Sequence, residues 1–220
     1  MKAVILILIS AILINGVMAQ KKTYTYLALG DSYTIGESVP VFENFPYQSV
    51  QMLRKKGKSF YAPEIVAKTG WTTDELTAGI ASTSLLASYD IVSLLIGVNN
   101  QYRGRTVDEY AVQFEALLKK AIAFAGGKPS HVFVISIPDW GATPFAKDKD
   151  RAKIAEEINA FNATNLRISN QYKVHYVDIT PGSREAIADP SLVAEDKLHP
   201  SGSEYTKWAN LLVAEVLKSL

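Results

Sequence analysis

Tyr24-Thr25-Tyr26-Leu27-Ala28-Leu29-Gly30-Asp31-Ser32 is a strand-like apolar run that stops abruptly at a Gly-Asp-Ser tripeptide. In an open α/β sheet the chain turns at the end of a strand, and ligands bind there, so Ser32 falls where such a fold keeps its chemistry. Four more runs rich in β-branched or large apolar residues follow, at Glu64 to Lys68, Ile91 to Ile96, Val132 to Ile137 and Val174 to Ile179. Helical periodicity separates them around Tyr47 to Lys56, Asp74 to Ala81, Val107 to Ala125 and Lys153 to Tyr172, and returns from Ser203 to the C-terminus. Three helix starts carry a Ser/Thr-x-x-Glu pattern that predicts capping boxes: Thr72 with Glu75, Thr106 with Glu109, and Ser201 with Glu204. Such alternation means βαβ units. The expected fold is α/β, a three-layer αβα sandwich around a mostly parallel five-stranded sheet in flavodoxin-like order, with functional residues at the C-terminal strand ends.

The ends of the chain bound its organisation. Residues 1–19 carry one lysine, an apolar stretch from Ala3 to Ile14 and Val17-Met18-Ala19 before Gln20, which is the pattern of a secretory signal peptide cut after Ala19. The apolar stretch is shorter than the roughly 20 residues that span a bilayer, so no stable membrane anchor is expected after cleavage. Residues 20–220 are then one exported domain, periplasmic or secreted, long enough for a single full core. The chain has no cysteine, which excludes disulfides and thiolate chemistry. A net charge of +1 with interspersed signs leaves no electrostatic footprint for nucleic acid. Lys147-Asp148-Lys149-Asp150-Arg151 is the solvated start of a helix rather than a calcium loop, whose Asp/Asn and Gly pattern it lacks. No nucleotide fingerprint, Gly-x-Gly-x-x-Gly or Gly-x-x-x-x-Gly-Lys-Ser/Thr, follows the first strand.

A serine needs a base, an acid to orient that base, and donors for an oxyanion. Of the three histidines, His131 and His175 lie in strand-like runs and are expected to be packed and hydrogen-bonded there. His199 lies in the polar loop Asp196-Lys197-Leu198-His199-Pro200, where Pro200 biases it toward an extended backbone and a helix start follows at Ser201. Asp196, three residues earlier, can reach back to the Nδ1 proton and leave Nε2 free to take the proton of a serine hydroxyl. Taken alone, Ser32 reads more readily as a helix cap or turn serine, and Asp196 with His199 reads equally well as a solvated surface pair. Gly70, in Thr69-Gly70-Trp71 after the second strand, can offer a backbone N–H where a side chain would obstruct a ligand, and is also an ordinary turn glycine. Asn99, in Gly97-Val98-Asn99-Asn100 after the third strand, can turn an amide donor toward a developing oxyanion or simply form a turn.

These four blocks, in this order and each after the appropriate strand or before the last helix, resemble the SGNH subgroup of the GDSL hydrolases. That family includes lipases, esterases, thioesterases and carbohydrate acetyl esterases. The resemblance covers essentially all of residues 20–220. It implies Ser32 as nucleophile, His199 as general base and acid, Asp196 as its orienting carboxylate, and an oxyanion hole from the N–H groups of Ser32 and Gly70 and the amide of Asn99. It implies no metal and no cofactor. The third block departs from the usual Gly-x-Asn-Asp in ending on Asn100, for which a change in local hydrogen bonding is expected rather than loss of activity. Gly30-Asp31-Ser32-Tyr33-Thr34 lacks the second glycine of the α/β-hydrolase elbow.

Substrate is less sharply written. Tyr33, Trp71, Tyr102, Arg103 and Trp140 follow strand ends or site residues and are candidates for the rim of the cleft, where aromatics suit a sugar ring or an acyl chain equally well. The partner expected is a small-molecule, carbohydrate or lipid ester, with a short-acyl or carbohydrate acetyl ester favoured. The alternatives are a lysophospholipase or thioesterase, an acyltransferase using the same residues, and a non-catalytic ligand-binding module.

Overall fold

Tyr26 to Asp31 are buried at every position, which is what a central strand covered by helices on both faces requires. The structure is a computed structural model that describes residues 22–220; the expected export signal at residues 1–19 lies outside them. In chain order the strands are β1 (Thr23–Tyr24), β2 (Tyr26–Asp31), β3 (Ser59–Phe60), β4 (Glu64–Lys68), β5 (Ile91–Leu95), β6 (Val132–Ile135) and β7 (His175–Val177). The helices are α1 (Ser32–Ile35), α2 (Phe45–Lys55), α3 (Thr73–Ser82), α4 (Val98–Tyr102), α5 (Val107–Phe124), α6 (Arg151–Tyr172), α7 (Thr180–Ser183) and α8 (Gly202–Ser219).

Five strands form one parallel sheet in the order β4-β2-β5-β6-β7, which is the flavodoxin-like order, and β1 with β3 makes a separate two-stranded pair. Helices α2 and α8 pack on each other, while α5 packs on α6 and α3. With right-handed crossovers this puts the first pair on one face and the other three on the opposite face. The connections leaving β2 and β5 run in opposite directions across the sheet, so a crevice opens beyond their C-terminal ends. The α2–α8 contact is built on Phe45, Leu53, Trp208 and Leu212, each almost fully buried. Emptying a site such as Leu53 to alanine costs about 2–5 kcal/mol.

Two strands end two residues earlier than their apolar runs. Beyond Ile135 the backbone of Ile137 pairs with a side chain, not a strand: its N–H donates to Asn162 Oδ1 at 2.9 Å and its carbonyl accepts Asn162 Nδ2 at 2.9 Å. Beyond Val177, the Ile179 and Thr180 N–H groups donate to Ser136 Oγ at 2.9 and 3.2 Å. Buried amide and hydroxyl groups thus replace the ladder and satisfy the backbone.

Local starts differ in how they are capped. Glu75 accepts the Thr72 N–H at 2.8 Å, as expected of a capping box. At Thr106 only half of the box forms: the hydroxyl accepts Glu109 N–H at 3.2 Å, while the Glu109 carboxylate turns to Arg105. The box expected at Ser201 is absent. Glu204 is buried and takes the Trp208 Nε1–H at 2.9 Å and Lys207 at 3.1 Å, because packing of Trp208 on α2 draws it inward. Asp150 caps α6 by accepting Lys153 N–H at 3.0 Å. His131 Nδ1 lies 2.7 Å from the Asp90 carbonyl oxygen, and His175 stacks on Phe133 at 4.9 Å, so both are packed.

Candidate active site

Ser32 is the first residue of α1, directly beyond β2. Asp31 caps that short helix by accepting the Tyr33 N–H on Oδ1 at 3.0 Å. The turn is tight: a Cβ on Gly30 would lie 2.0 Å from Thr34 Oγ1 and 2.5 Å from the Leu95 carbonyl oxygen. Only glycine lets the turn at Ser32 close against β5.

Asp196 and His199 come from the loop before α8. His199 Nδ1 lies 2.6 Å from Asp196 Oδ2, and the backbone N–H groups of Leu198 and His199 donate to Oδ1 at 2.9 and 3.0 Å. With Nδ1–H donated to the carboxylate, Nε2 is left as the acceptor. Burial works to raise the Asp196 carboxyl, but the hydrogen bonds from His199, Leu198 and Ser38 outweigh it and hold the group down at about 2. The imidazole is nearly buried, with the Tyr33 ring 4.9 Å away and tilted by 54°.

Ser32, Tyr33, Val98, Asn99, Tyr102, Trp140, Phe145, Leu198 and His199 line one cleft of about 190 Å³ at the C-terminal ends of β2, β5 and β6. Serine, histidine and asparagine are therefore brought together from three distant segments. Among the described residues no hydrogen bond joins Ser32 Oγ to His199, a looseness common before substrate binds.

Asn99 Nδ2 donates to the Trp71 carbonyl at 3.0 Å and, at a long 3.4 Å, to Asp31 Oδ2. The first bond fixes the amide plane; the second N–H is held weakly enough to be given to a ligand. Asp31 is fully buried, and burial pushes its carboxyl up to about 7 against the opposing pull of the Tyr33 N–H and the Asn99 amide. Gly70 has a φ of 81°, a backbone that favours glycine, and its carbonyl accepts Arg103 Nη2 at 2.6 Å.

Of the five rim candidates, Tyr33, Tyr102 and Trp140 do line the cleft. Trp71 and Arg103 do not. The Trp71 ring packs on α3, where a Cβ on Gly79 would come within 2.1 Å of it. Arg103 is a clamp that joins the Gly70 carbonyl to Glu75, 3.2 Å away. Asn100 is buried and faces away from the cleft: Oδ1 accepts the Thr73 N–H at 3.1 Å, and Nδ2 donates to Thr73 Oγ1 at 2.8 Å. The Thr73 hydroxyl itself donates to Gln113, so it needs a donor partner, which an amide supplies and an ionised aspartate does not.

Phe145 and Leu198 complete the wall of the cleft and were not singled out from the sequence. Their one sequence signal is an apolar residue isolated in a polar loop. Trp140 donates its Nε1–H to Gln101 at 2.7 Å and meets Tyr102 and Phe145 edge-on at 5.2 and 6.1 Å, an aromatic wall joined to the histidine loop where the Phe145 N–H donates to the Lys197 carbonyl at 3.0 Å.

Residues 28–206 match the GDSL-like Lipase/Acylhydrolase family. The chain belongs to that family. It is accordingly a hydrolase of carboxylic esters. Solved structures share the fold of this GDSL hydrolase at low identity. TesA aligns with a TM-score of 0.70 at 16% identity, covering 89% of this chain and 99% of its own. A lipase/acylhydrolase from Enterococcus faecalis gives 0.68 at 18%, covering 88% and 95%. The acetylxylan esterase Axe2 from Geobacillus stearothermophilus gives 0.66 at 18%, covering 88% and 94%. A search of curated proteins found no match. Among the described residues there is no cluster of three or more histidine, aspartate or glutamate side chains placed to hold a metal, and no helix long and apolar enough to cross a membrane.

Proposed function

We propose that this GDSL hydrolase cleaves short-acyl esters through an acyl-enzyme on Ser32. His199 takes the Ser32 proton as Oγ bonds to the ester carbonyl carbon, and Asp196 holds the Nδ1–H tautomer and stabilises the imidazolium. The tetrahedral oxyanion takes hydrogen bonds from the Ser32 and Gly70 N–H groups and from Asn99 Nδ2. His199 then protonates the departing alcohol as the C–O bond breaks. Water, deprotonated by His199, adds to the acyl-enzyme and releases the carboxylic acid and free Ser32.

The observation that carries the reading is the 2.6 Å Asp196–His199 bond at a cleft that Ser32 and Asn99 also line. The cleft's size and lining support the choice of acyl group: about 190 Å³ is small beside the roughly 300–1,000 Å³ of sites for drug-sized ligands. Tyr102, Trp140 and Phe145 line the cleft with aromatic rings, which favours carbohydrate acetyl esters within that class. The reading extends to export after cleavage at Ala19, so that the substrate is met in the periplasm or outside the cell.

The test is release of p-nitrophenol from a series of acyl esters, acetyl through dodecanoyl, by the wild type and Ser32→Ala. Turnover highest on the short chains and abolished in Ser32→Ala supports the proposal. An optimum at long chains would overturn the short-acyl assignment in favour of a lipase-like or lysophospholipase-like substrate, and Ser32-independent turnover would overturn the mechanism.

A further inference from the structure

We propose that Ser38 is a positioning residue for the acid–base pair, its hydroxyl latching the Asp196 carboxylate to the turn that follows the nucleophile. The inference rests on the roles assigned above to Ser32, Asp196 and His199. Ser38 Oγ donates to Asp196 Oδ2 at 2.7 Å, the same oxygen that faces His199 Nδ1 at 2.6 Å. The remaining donors to this carboxylate, the Leu198 and His199 N–H groups and His199 Nδ1, all belong to its own turn. Among the described residues Ser38 alone comes from elsewhere, 158 positions away in the chain.

The turn that carries Ser38 is tied on its other side as well. Thr69, next to Gly70, donates its hydroxyl to the Glu37 carboxylate. Glu37 and Ser38 thus bridge the loop that offers an oxyanion N–H and the loop that offers the base. The turns on both sides of the latch contain left-handed backbone: Ser38 itself and Lys197, next to Asp196, each have a φ of 65°. The third non-glycine residue with positive φ among the described residues, Lys173, sits at a helix C-cap, where that conformation is ordinary. In a loop a side chain disfavours it, and it persists only where surrounding contacts over-determine it.

The hydroxyl also acts on charge. It competes with His199 for Oδ2, so its removal makes that oxygen a stronger partner for Nδ1–H and favours the imidazolium. Around Asp196 lie Lys197 and His199 on its own turn, Tyr33 and Glu37 on the Ser32 side, and Lys147 before α6 and Arg151 at its start, which line the same hollow.

Ser38→Gly and Ser38→Ala both delete the hydroxyl, but only glycine relieves the backbone. Measured on a short-acyl p-nitrophenyl ester beside wild type and Ser32→Ala, both variants are expected to lose about threefold to tenfold in kcat with KM unchanged. In both, the acid limb of the kcat/KM profile moves to higher pH, and the loss disappears when Ser38→Gly is made in an Asp196→Ala background. Melting followed by circular dichroism confirms that each variant is folded. Wild-type kcat and pH profile in Ser38→Gly, or an equal loss in the Asp196→Ala background, overturns the latch while leaving the serine mechanism standing. Full turnover by Ser32→Ala overturns both.

Discussion

Asp31 and Asp196 stand beside one cleft, one next to Ser32 and the other near His199, and their carboxyls are pushed in opposite directions. Asp31, at the buried end of β2, is raised to about 7; Asp196, in a partly exposed loop, is held at about 2. The difference follows from the donors each meets. Asp31 is fully enclosed and receives one backbone N–H and one long amide contact. Asp196 keeps some solvent and receives two backbone N–H groups, the Ser38 hydroxyl and the imidazole. Burial dominates where donors are few, and hydrogen bonding dominates where they converge. The first carboxyl shapes the turn at Ser32, whereas the second is kept charged beside the histidine.

Substitution by asparagine tests this division most severely. Asp196→Asn removes the acceptor that fixes the imidazole tautomer, and kcat is expected to fall on the order of 10⁴-fold. Asp31→Asn should leave kcat far closer to wild type, since in the proposed mechanism no proton passes through it. Comparable losses in steady-state assays of the two variants would break the comparison.

A second, smaller effect sharpens the role of the Asp31 side of the site. Under the proposed mechanism Asn99→Ala should lower kcat by about 10²-fold to 10³-fold, with much less change in KM, because an oxyanion donor acts in the transition state. A loss confined to KM would reassign Asn99 to ground-state binding.

The smallest effect is on stability, and its sign differs between the two carboxyls. Asp31 has its folded value raised from 3.8 to about 7, so its contribution is full below 3.8 and is lost as pH rises through about 7. Asp196 has its value lowered from 3.8 to about 2, so its contribution is present above 3.8 and is lost as pH falls through about 2. Melting temperatures of Asp31→Asn should therefore vary less between pH 4 and 7 than those of wild type, and should exceed them above pH 7 by a few degrees. A wild-type melting temperature that rises steadily across that interval through Asp31 would contradict the assignment.

Much of the fold was legible because its signals are local. Five apolar runs separated by helical periodicity are enough for a parallel sheet, and the Asp-x-x-His spacing put two partners within reach on one turn. Strand ends were less legible: Val132 to Ile137 is apolar but for Ser136, yet the strand stops at Ile135 because Asn162, from α6, takes over the backbone of Ile137. Glu204 carried a capping pattern and instead was drawn inward by Trp208. Trp71 and Arg103 were plausible rim residues by position, but Gly79 and the Gly70 carbonyl offered them closer partners.

By itself the sequence determined the α/β alternation, the strand-end placement of Ser32 and Asn99, and the Asp196–His199 pairing, since each depends on neighbours within a few positions. Only the tertiary structure decided which aromatics wall the cleft, what Asn100 and Arg103 hold in place, and that Ser38 reaches Asp196. Those contacts join segments far apart in the chain, and no periodicity or spacing records which distant residues folding brings within hydrogen-bond range.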